Sequence, residues 1–319
     1  MAADGSYSDV RYLHAKRSVD DRALNRPVLE RLRVAIDAEA GRGSGTRILE
    51  LGAGVGTMVT RLADLGSVGR GRYTLVDRDP TSLAAAAAHL RGWGGTAASG
   101  DGARITLRDP ARGLDLEVEL VAAAVFAWLA ADGAGDPGRE TRREDGYDLV
   151  VANAFLDLVD VEALLPALWR RVAPSRPFWF SINFDGETIF LPELPLDAAV
   201  MALYHDTMDR RVRDGRRAGD SRTGRHLLQW LPRSGARLLG AGGADWVVFP
   251  ARAGDGAYPD DEAYFLHHIV HTVDGAVTGA PSLDAAAFAA WVATRHRQID
   301  RGELIYIAHQ LDVVGLAPA

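Results

Sequence analysis

The chain has 319 residues, 47% hydrophobic, 25% charged and 8% aromatic, and its 36 basic and 43 acidic residues give a formal net charge of −7. This length predicts one large domain or a core with substantial insertions. The lack of cysteine excludes disulfides, thiolate metal sites and cysteine nucleophiles, and the net acidity disfavours a general nucleic-acid binder. Because there is neither a membrane-spanning apolar run nor a secretory signal, we expect a soluble cytoplasmic protein.

Strands and helices are predicted to alternate along the first half of the chain. A helical pattern runs from Pro27 to Glu39, after a start signal at Asn25. Four short apolar runs, separated by helical patterns, are predicted to be buried strands: Ile48–Leu51, Tyr73–Val76, Leu149–Ala152 and Phe178–Ile182. This alternation predicts an α/β fold with a mostly parallel sheet that has helices on both faces.

The remaining elements are less regular. Two strand-like runs, Arg104–Arg108 and Leu116–Val121, are predicted to form a hairpin, and Ala131–Asp145 a surface loop. Beyond Ile189 the alternation weakens. The later part of the chain is predicted to contain a strand at Leu238–Phe249, helices at Tyr264–Val277 and Leu283–Ile299, and one closing strand that includes Leu304–Ile307 and Val313–Leu316.

A glycine-rich turn joins the first of the four strands to the next helix. Gly52, Gly54 and Gly56 allow a sharp turn and a close approach to a ligand, and the helix that follows favours negative charge at its start. The next strand ends at Asp77, where a carboxylate can accept both hydroxyls of a ribose. We therefore interpret the segment as part of a ligand site rather than as a tight turn followed by an exposed aspartate.

Three segments carry a resemblance to a known family. Glu50–Gly56 (ELGAGVG) resembles the first signature of class I S-adenosylmethionine-dependent methyltransferases, Tyr73–Pro80 their second and Tyr147–Asp160 their fourth. The resemblance covers residues 47–182. It implies a Rossmann-like fold with a seven-stranded, mostly parallel sheet, a final antiparallel strand and helical cap insertions. The spacing G-x-G-x-G also differs from the G-x-G-x-x-G of nicotinamide-binding enzymes.

The resemblance implies S-adenosylmethionine as cofactor and S-adenosylhomocysteine as product. In the family, the glycine turn lies against the methionine part and the acid at the position of Asp77 holds the ribose. The acid that often binds adenine after the third strand is absent here, so we expect Val125 and Phe126 to hold adenine by packing and backbone hydrogen bonds. Two alternatives stay open, a misaligned strand and weakened or lost cofactor binding. The expected cofactor contacts are Glu50, Gly52, Ala53, Gly54, Gly56, Asp77, Arg78, Val125, Phe126, Asn153, Ala154, Tyr12, Lys16 and Arg22.

The acceptor is expected to be a small molecule methylated on an O or N atom. Asn153 lies at the tip of the third predicted buried strand, but both prolines typical of enzymes that methylate nucleobase amino groups are missing. Tyr12, Lys16 and Arg22 belong to a segment that suits a lid, where they would meet the cofactor carboxylate or an acidic substrate. The alternative is a solvated helix with internal ion pairs.

Two sets of side chains are candidates for chemistry or substrate binding. His205 and Asp209 are spaced i, i+4, so the histidine could act as general base and the aspartate orient it, alongside Asn153 as a third catalytic candidate. A packed or surface histidine is the alternative. The arginines that follow could recognise a carboxylate or phosphate, although such a run is more often a solvated face; they are Arg210, Arg211, Arg213, Arg216 and Arg217.

The histidines near residue 270 are considered as metal ligands. His267 and His271 have helical spacing, but no third ligand is apparent, so we predict no metal.

We expect three parts in the chain: a helical lid at residues 1–40, a cofactor-binding core at 41–182, and the second half of the sheet at 183–319, with cap insertions at about 183–230 and 256–302. Two other functions stay open, cofactor binding without methyl transfer and methylation of protein or RNA. The chain could be a monomer or a homodimer.

Overall fold

The computed structural model describes residues 7–38, 45–97, 103–131, 146–251 and 257–319. The predicted surface loop after Ala131 lies outside these residues. In this part of the chain, no helix combines the length and the apolar character needed to cross a membrane.

Twelve strands occur in the described residues, and ten of them form one mixed sheet. They are β1 (Thr46–Leu51), β2 (Arg70–Asp77), β3 (Gly95–Ala97), β4 (Arg104–Asp109), β5 (Leu114–Ala122), β6 (Leu149–Asn153), β7 (Pro177–Leu191), β8 (Val212–Arg213), β9 (Arg216–Arg217), β10 (Arg237–Gly243), β11 (Trp246–Val248) and β12 (Ile305–Leu316).

Helices cover the sheet and the ends of its strands. Asn25 caps the helix Arg26–Asp37 by accepting a hydrogen bond from the backbone N–H of Val28, so the predicted start signal is confirmed. The helices are α1 (Asp9–Ala15), α2 (Arg17–Ala23), α3 (Arg26–Asp37), α4 (Thr57–Asp64), α5 (Pro80–Gly92), α6 (Val125–Ala131), α7 (Val161–Trp169), α8 (Asp197–Asp209), α9 (Thr223–Arg233), α10 (Glu262–Val277) and α11 (Ala285–Asp300).

The strand order confirms the predicted fold class. Seven strands form the core of the sheet in the order β5–β2–β1–β6–β7–β12–β10. The first five are parallel, and β12 is antiparallel to both of its neighbours, as expected for the closing strand. The predicted count of seven is nevertheless too low for the whole sheet. The hairpin partner β4 and then β3 extend one edge beyond β5, and β11 pairs with β12.

Alternation along the central strands separates two hydrophobic clusters, one on each face of the sheet. In β1, Ile48 belongs to the cluster that includes α3, α4, α5 and α10, whereas Leu49 and Leu51 belong to the cluster with α7 and α9. All three side chains are fully buried. A sheet that is apolar on both faces needs the two helical layers that the sequence predicts.

Two strands differ substantially from their predicted bounds, and these differences shape the site. Strand β7 continues to Leu191, well past Ser181, which pairs with the last residue of β6. The prediction of one strand at Leu238–Phe249 is wrong, because the strand is interrupted at Ala244 and Asp245. The two resulting strands, β10 and β11, both pair with β12. As a result, β7, β12 and β11 extend beyond the carboxyl ends of the parallel strands and form a wall there.

Candidate active site

A cavity of about 1070 Å³ lies at the carboxyl ends of the parallel strands. Its lining comes from the strand ends, the β7–β12–β11 extension and helices α1, α8 and α10. Open α/β sheets place their ligand sites at this edge, and sites for a single small molecule span about 300–1,000 Å³. The volume of the cavity is thus at the upper end of this range.

The glycine turn between β1 and α4 forms one end of the cavity. Gly52, Gly54 and Gly56 all have left-handed backbone conformations, with φ of 67°, 53° and 73°. The Gly54 N–H donates to Asp77 Oδ2 at 2.8 Å, and the Asp79 N–H donates to Asp77 Oδ1 at 2.9 Å. Asp77 thus fixes the turn and faces the cavity beside it. Gly56 does not line the cavity; it lies against Ala86 where α4 begins.

Glu50 lies beneath this turn as a buried carboxyl group. It is 1% exposed and accepts a 2.8 Å hydrogen bond from the Tyr73 hydroxyl. Burial raises the pKa of Glu50 to about 8, although the hydrogen bond from Tyr73 and the charge of Arg61 act in the opposite direction. Glu50 is therefore largely neutral at pH 7.

The region after β5 has the alignment that the sequence analysis assumes. β5 ends at Ala122, opposite Asp77 at the end of β2. Residues 123–127 line the cavity, Val125 and Phe126 among them, and they supply an apolar wall without an acid. The Arg216 guanidinium, which also lines the cavity, lies 5.0 Å from the centroid of the Phe126 ring.

A buried hub at Asp20 joins the N-terminal helices to the tip of β6. Asp20 Oδ2 lies 3.0 Å from Lys16 Nζ and accepts a 3.2 Å hydrogen bond from Asn153 Nδ2. Asp20 Oδ1 accepts a 2.9 Å hydrogen bond from Trp246 Nε1, and Asn153 Oδ1 accepts one from the Ser181 hydroxyl. Lys16 and Asp20 are only 7% and 1% exposed. Lys16 and Asn153 line the cavity, and the Asp20 carboxylate fixes the orientation of both side chains. Asp20 was not among the site residues predicted from sequence.

Helix α1 brings Tyr12 into the cavity, whereas Arg22 lies elsewhere. The Tyr12 ring stacks on His268 with a centroid distance of 4.1 Å, and burial raises the pKa of its hydroxyl well above its ordinary value. Arg22 instead forms an ion pair with buried Glu262 at the start of α10 and is absent from the cavity lining. Its expected contact with the cofactor is therefore not supported by its position.

His205 and Asp209 do not line the cavity, so the structure does not support their predicted catalytic role. His205 Nε2 lies 3.1 Å from the Thr188 hydroxyl, and burial lowers the pKa of the imidazole. Asp209 accepts a hydrogen bond from the backbone of Ser221. Helix α8 instead presents Tyr204 to the cavity. Adjacent helical positions are about 100° apart, which is why the i, i+4 pair beginning at 205 faces away.

Several residues that the sequence analysis missed line the second half of the cavity. Tyr204 and Tyr306 lie there with Tyr12, and in the described residues none of the three hydroxyls has a hydrogen-bond partner. Asp157, four residues after Asn153, also lines it. Its Oδ1 is buried without a hydrogen-bond partner, and burial raises the pKa of the carboxyl group. We call this half, with its aromatic walls and unpaired polar groups, the inner chamber.

Two non-glycine residues with left-handed backbones lie at neighbouring strand positions on the cavity. Ala154 follows the tip of β6 with φ of 50°, and Ile182 lies in β7 with φ of 56°. Such conformations cost free energy and are concentrated at functional sites. Here they lie where the segment after β6 and strand β7 pass between the glycine turn and the inner chamber.

The described residues contain no group of three histidine, aspartate or glutamate side chains placed to hold a metal ion. The two histidines considered above have separate surroundings. His267 Nδ1 lies 2.8 Å from His296 Nδ1, and His271 stacks on Tyr7.

The sequence matches no family model and no curated protein. Solved structures with a similar chain trace include an S-adenosylmethionine-dependent methyltransferase from Thiobacillus denitrificans in complex with S-adenosylhomocysteine. The two are 15% identical, with a TM-score of 0.43 over 98% of this chain and 99% of that one. The cyclase SpnF is also 15% identical, with a TM-score of 0.40 over 91% of this chain and 82% of that one.

The strand order of this chain, with a glycine turn after β1 and an acid at the end of β2, defines a class I methyltransferase fold.

Proposed function

We propose that the protein transfers a methyl group from S-adenosylmethionine to an O or N atom of a small molecule. The observation that carries the proposal is that one cavity is lined both by the glycine turn with Asp77 and by the residues of the inner chamber. A ligand at the first end and an acceptor at the second would meet near Asn153. The cofactor would supply an electrophilic methyl group on a sulfonium.

The residues at the first end suit such a cofactor. The glycine turn brings backbone without side chains to the cavity surface, and Asp77 retains lone pairs for ribose hydroxyls beyond those used by two backbone N–H groups. Val125 and Phe126 provide an apolar surface for adenine. Because the aligned β5 ends without an acid, we propose that adenine is held there by packing and backbone groups.

The inner chamber suits a small acceptor. Its aromatic side chains offer apolar surface, and the hydroxyls of Tyr12, Tyr204 and Tyr306 can orient a polar molecule by hydrogen bonds. We propose that helices α1 and α2 act as the lid over it, since Asp20 binds them to both Asn153 and Trp246. A pocket walled by helices and strands supports a small molecule better than a protein or RNA chain.

Asp157 replaces His205 as our proposed proton acceptor. A carboxyl group with a raised pKa and one oxygen without a hydrogen-bond partner can take a proton from a hydroxyl or amine as the methyl group is transferred. Its position after the tip of β6 puts it on the cavity, whereas His205 contacts Thr188.

Cofactor binding is tested by calorimetric titration of S-adenosylmethionine and S-adenosylhomocysteine into the wild type, Asp77→Ala and Asp109→Ala. Asp109 is the matched control, because it also caps a turn after a strand but does not line this cavity. We expect saturable binding by the wild type and the control. Loss of hydrogen bonds to a carboxylate should weaken binding to Asp77→Ala at least about tenfold. A folded wild type that binds neither ligand would contradict the proposal.

Transfer is tested by S-adenosylhomocysteine release in a screen of small phenols and amines. With any acceptor that reacts, Asp157→Asn should lower kcat at least about tenfold and leave cofactor affinity unchanged, because general base catalysis contributes about 10²–10⁴-fold. His205→Gln should retain most of the activity. The opposite ranking of the two variants would restore the histidine as the base.

Cofactor binding without transfer is the second candidate, supported by the missing acid after β5. The inner chamber favours transfer over this alternative, since its residues line the same cavity as the glycine turn and offer an acceptor a place beside the cofactor. Saturable cofactor binding combined with no turnover across the screen would support the alternative.

A further inference from the structure

A short arginine-rich hairpin borders the cavity between α8 and α9. Strands β8 and β9 pair through a two-residue turn, Asp214-Gly215, in which both residues have positive φ. This is the turn geometry that fits the twist of a tight hairpin, so its backbone conformation is well defined. We call the segment Arg211–Arg217 the basic hairpin.

The basic hairpin turns several positive charges toward the cavity. Arg211 and Arg213 line it with two further arginines of the hairpin, and Arg78, at the end of β2, lines it as well. Burial lowers the pKa of Arg213, and the charges of Arg78 and Arg211 lower it further, while Asp214 opposes them. Like charges held close together cost free energy unless an anion binds among them. The arginines on the lining are Arg78, Arg211, Arg213, Arg216 and Arg217.

None of these arginines forms a salt bridge within the described part of the chain. The adjacent Arg210 does: its Nε lies 2.9 Å from Asp206 Oδ1, and it does not line the cavity. The two interpretations of the arginine run Arg210–Arg217, a binding group and a solvated face, therefore apply to different residues. Arg210 is ion-paired and lies off the cavity, whereas the others line the cavity without an ion-paired carboxylate; Arg213, Arg216 and Arg217 are exposed to solvent there.

The carboxylates on the same side of the cavity already accept hydrogen bonds from backbone N–H groups. Asp77 accepts from Gly54 and Asp79, Asp79 caps α5, and Asp160 caps α7. Asp157 and Asp214 are near enough to act on the charges of Arg211 and Arg213, but neither forms an ion pair with these arginines in the described residues. The basic hairpin thus concentrates positive charge at one part of the cavity lining, without directly bound carboxylates.

We propose that the basic hairpin binds a phosphoryl group carried by the methyl acceptor, at the mouth of the cavity. Guanidinium groups bind phosphate through paired N–H donors, and several uncompensated charges suit a group of charge near −2 better than a carboxylate. Arg211 lies near the inner chamber, where its charge acts on Asp157, and Arg216 lies over Phe126. An acceptor held by this group would place its other end in the inner chamber.

This inference rests on the proposed function for the identity of the acceptor, but the anion site can be tested separately. Pyrophosphate is titrated calorimetrically into the full chain, with and without S-adenosylhomocysteine. The proteins are the wild type, the double variant Arg213→Ala/Arg216→Ala and the control Arg210→Ala. We expect equal affinities for the wild type and Arg210→Ala, at least about tenfold weaker binding by the double variant, and weaker binding at higher salt.

Two results would overturn the proposal: no pyrophosphate binding by the folded wild type, or equal binding by the double variant. Acetate that competes as well as inorganic phosphate would indicate a carboxylate and refute the phosphoryl assignment. If pyrophosphate binding depends on Arg213 and Arg216 but S-adenosylhomocysteine does not bind, the anion site stands and the methyltransferase proposal fails.

Discussion

At the scale of single residues, the glycine turn shows how tightly backbone and side chains are matched around the cavity. A Cβ atom at Gly52 would lie 2.1 Å from Cδ2 of the Phe155 ring, far inside van der Waals contact. Phe155 follows Ala154, whose own backbone is left-handed. The turn after β1 and the tip of β6 are therefore packed directly against each other, and the absence of a side chain at 52 allows it.

Gly52→Ala should be strongly destabilising and should abolish cofactor binding. The variant combines a left-handed alanine, which costs about 1–2 kcal/mol, with a clash that displaces Phe155. Gly113→Ala separates the two effects, because Gly113 has a φ of 66° and no atom within 4 Å of its added Cβ. Urea unfolding should show a small loss for Gly113→Ala and a loss several times larger for Gly52→Ala. Equal losses would mean that Phe155 moves aside freely.

At the scale of elements, a buried carboxylate attaches the N-terminal helices to the sheet. Asp312 in β12 is fully buried, and its oxygens accept hydrogen bonds from the backbone N–H groups of Asn25 at 2.9 Å and Ile182 at 2.8 Å. Asn25 caps α3, and Ile182 is the left-handed residue where β7 bends. One side chain thus fixes both the helical segment that carries the lid and the bend of β7.

Asp312→Ala should loosen α1–α3 more than the rest of the molecule. Two buried N–H donors lose their acceptor, at about 1–3 kcal/mol each, so the free energy of unfolding should fall by roughly 3 kcal/mol. Hydrogen exchange should accelerate in α1–α3 first. As a control, Asp284→Ala removes an exposed cap of α11 and should cost only about 1 kcal/mol. Uniform acceleration throughout the chain would argue against a local attachment.

At the scale of the whole molecule, buried ionisable groups make stability depend on pH in two opposed ways. Burial raises the pKa of Glu50 to about 8, so the folded chain holds a proton that the unfolded chain releases near 4.5. Stability from this group is lost as pH rises between the two values. Burial lowers the pKa of several histidines, so the contribution that they make to the free energy of unfolding is lost as pH falls through about 6.5. These histidines are His14, His89, His205, His267, His268 and His296.

Between pH 6.5 and 8 the contribution of Glu50 should appear as a difference between the wild type and Glu50→Gln. The histidines stabilise both proteins as pH rises over this interval, so urea unfolding should show a loss of about 1–2 kcal/mol in the wild type relative to the variant. Glu50→Gln keeps the shape of the side chain and a hydrogen bond to Tyr73 but cannot ionise, so it should lack this loss. Glu30→Gln, on the exposed face of α3, should behave as the wild type does. Equal pH dependence of the wild type and Glu50→Gln would contradict the assignment to Glu50.

The amino-acid sequence by itself determined the features that depend on neighbouring residues. The glycine turn, the acid at Asp77, the alternation of strands and helices and the hairpin of β4 and β5 each follow from local backbone preferences and apolar periodicity. The buried strands were recognisable for the same reason, since a strand covered on both faces must be apolar throughout. These features predict the fold and the end of the cavity beside Asp77.

The tertiary structure alone decided the other end, because its residues come from distant parts of the chain and from small rotations of helices. Asp20 meets Trp246 across 226 positions, and no local pattern encodes that contact. A rotation of one position along α8 places Tyr204 rather than His205 on the cavity. In the sequence the arginine run is typical of one solvated face, but in the fold Arg210 pairs with Asp206 while Arg211, Arg213, Arg216 and Arg217 line the cavity. Side-chain direction and long-range packing, which single-sequence patterns do not carry, therefore define the acceptor side.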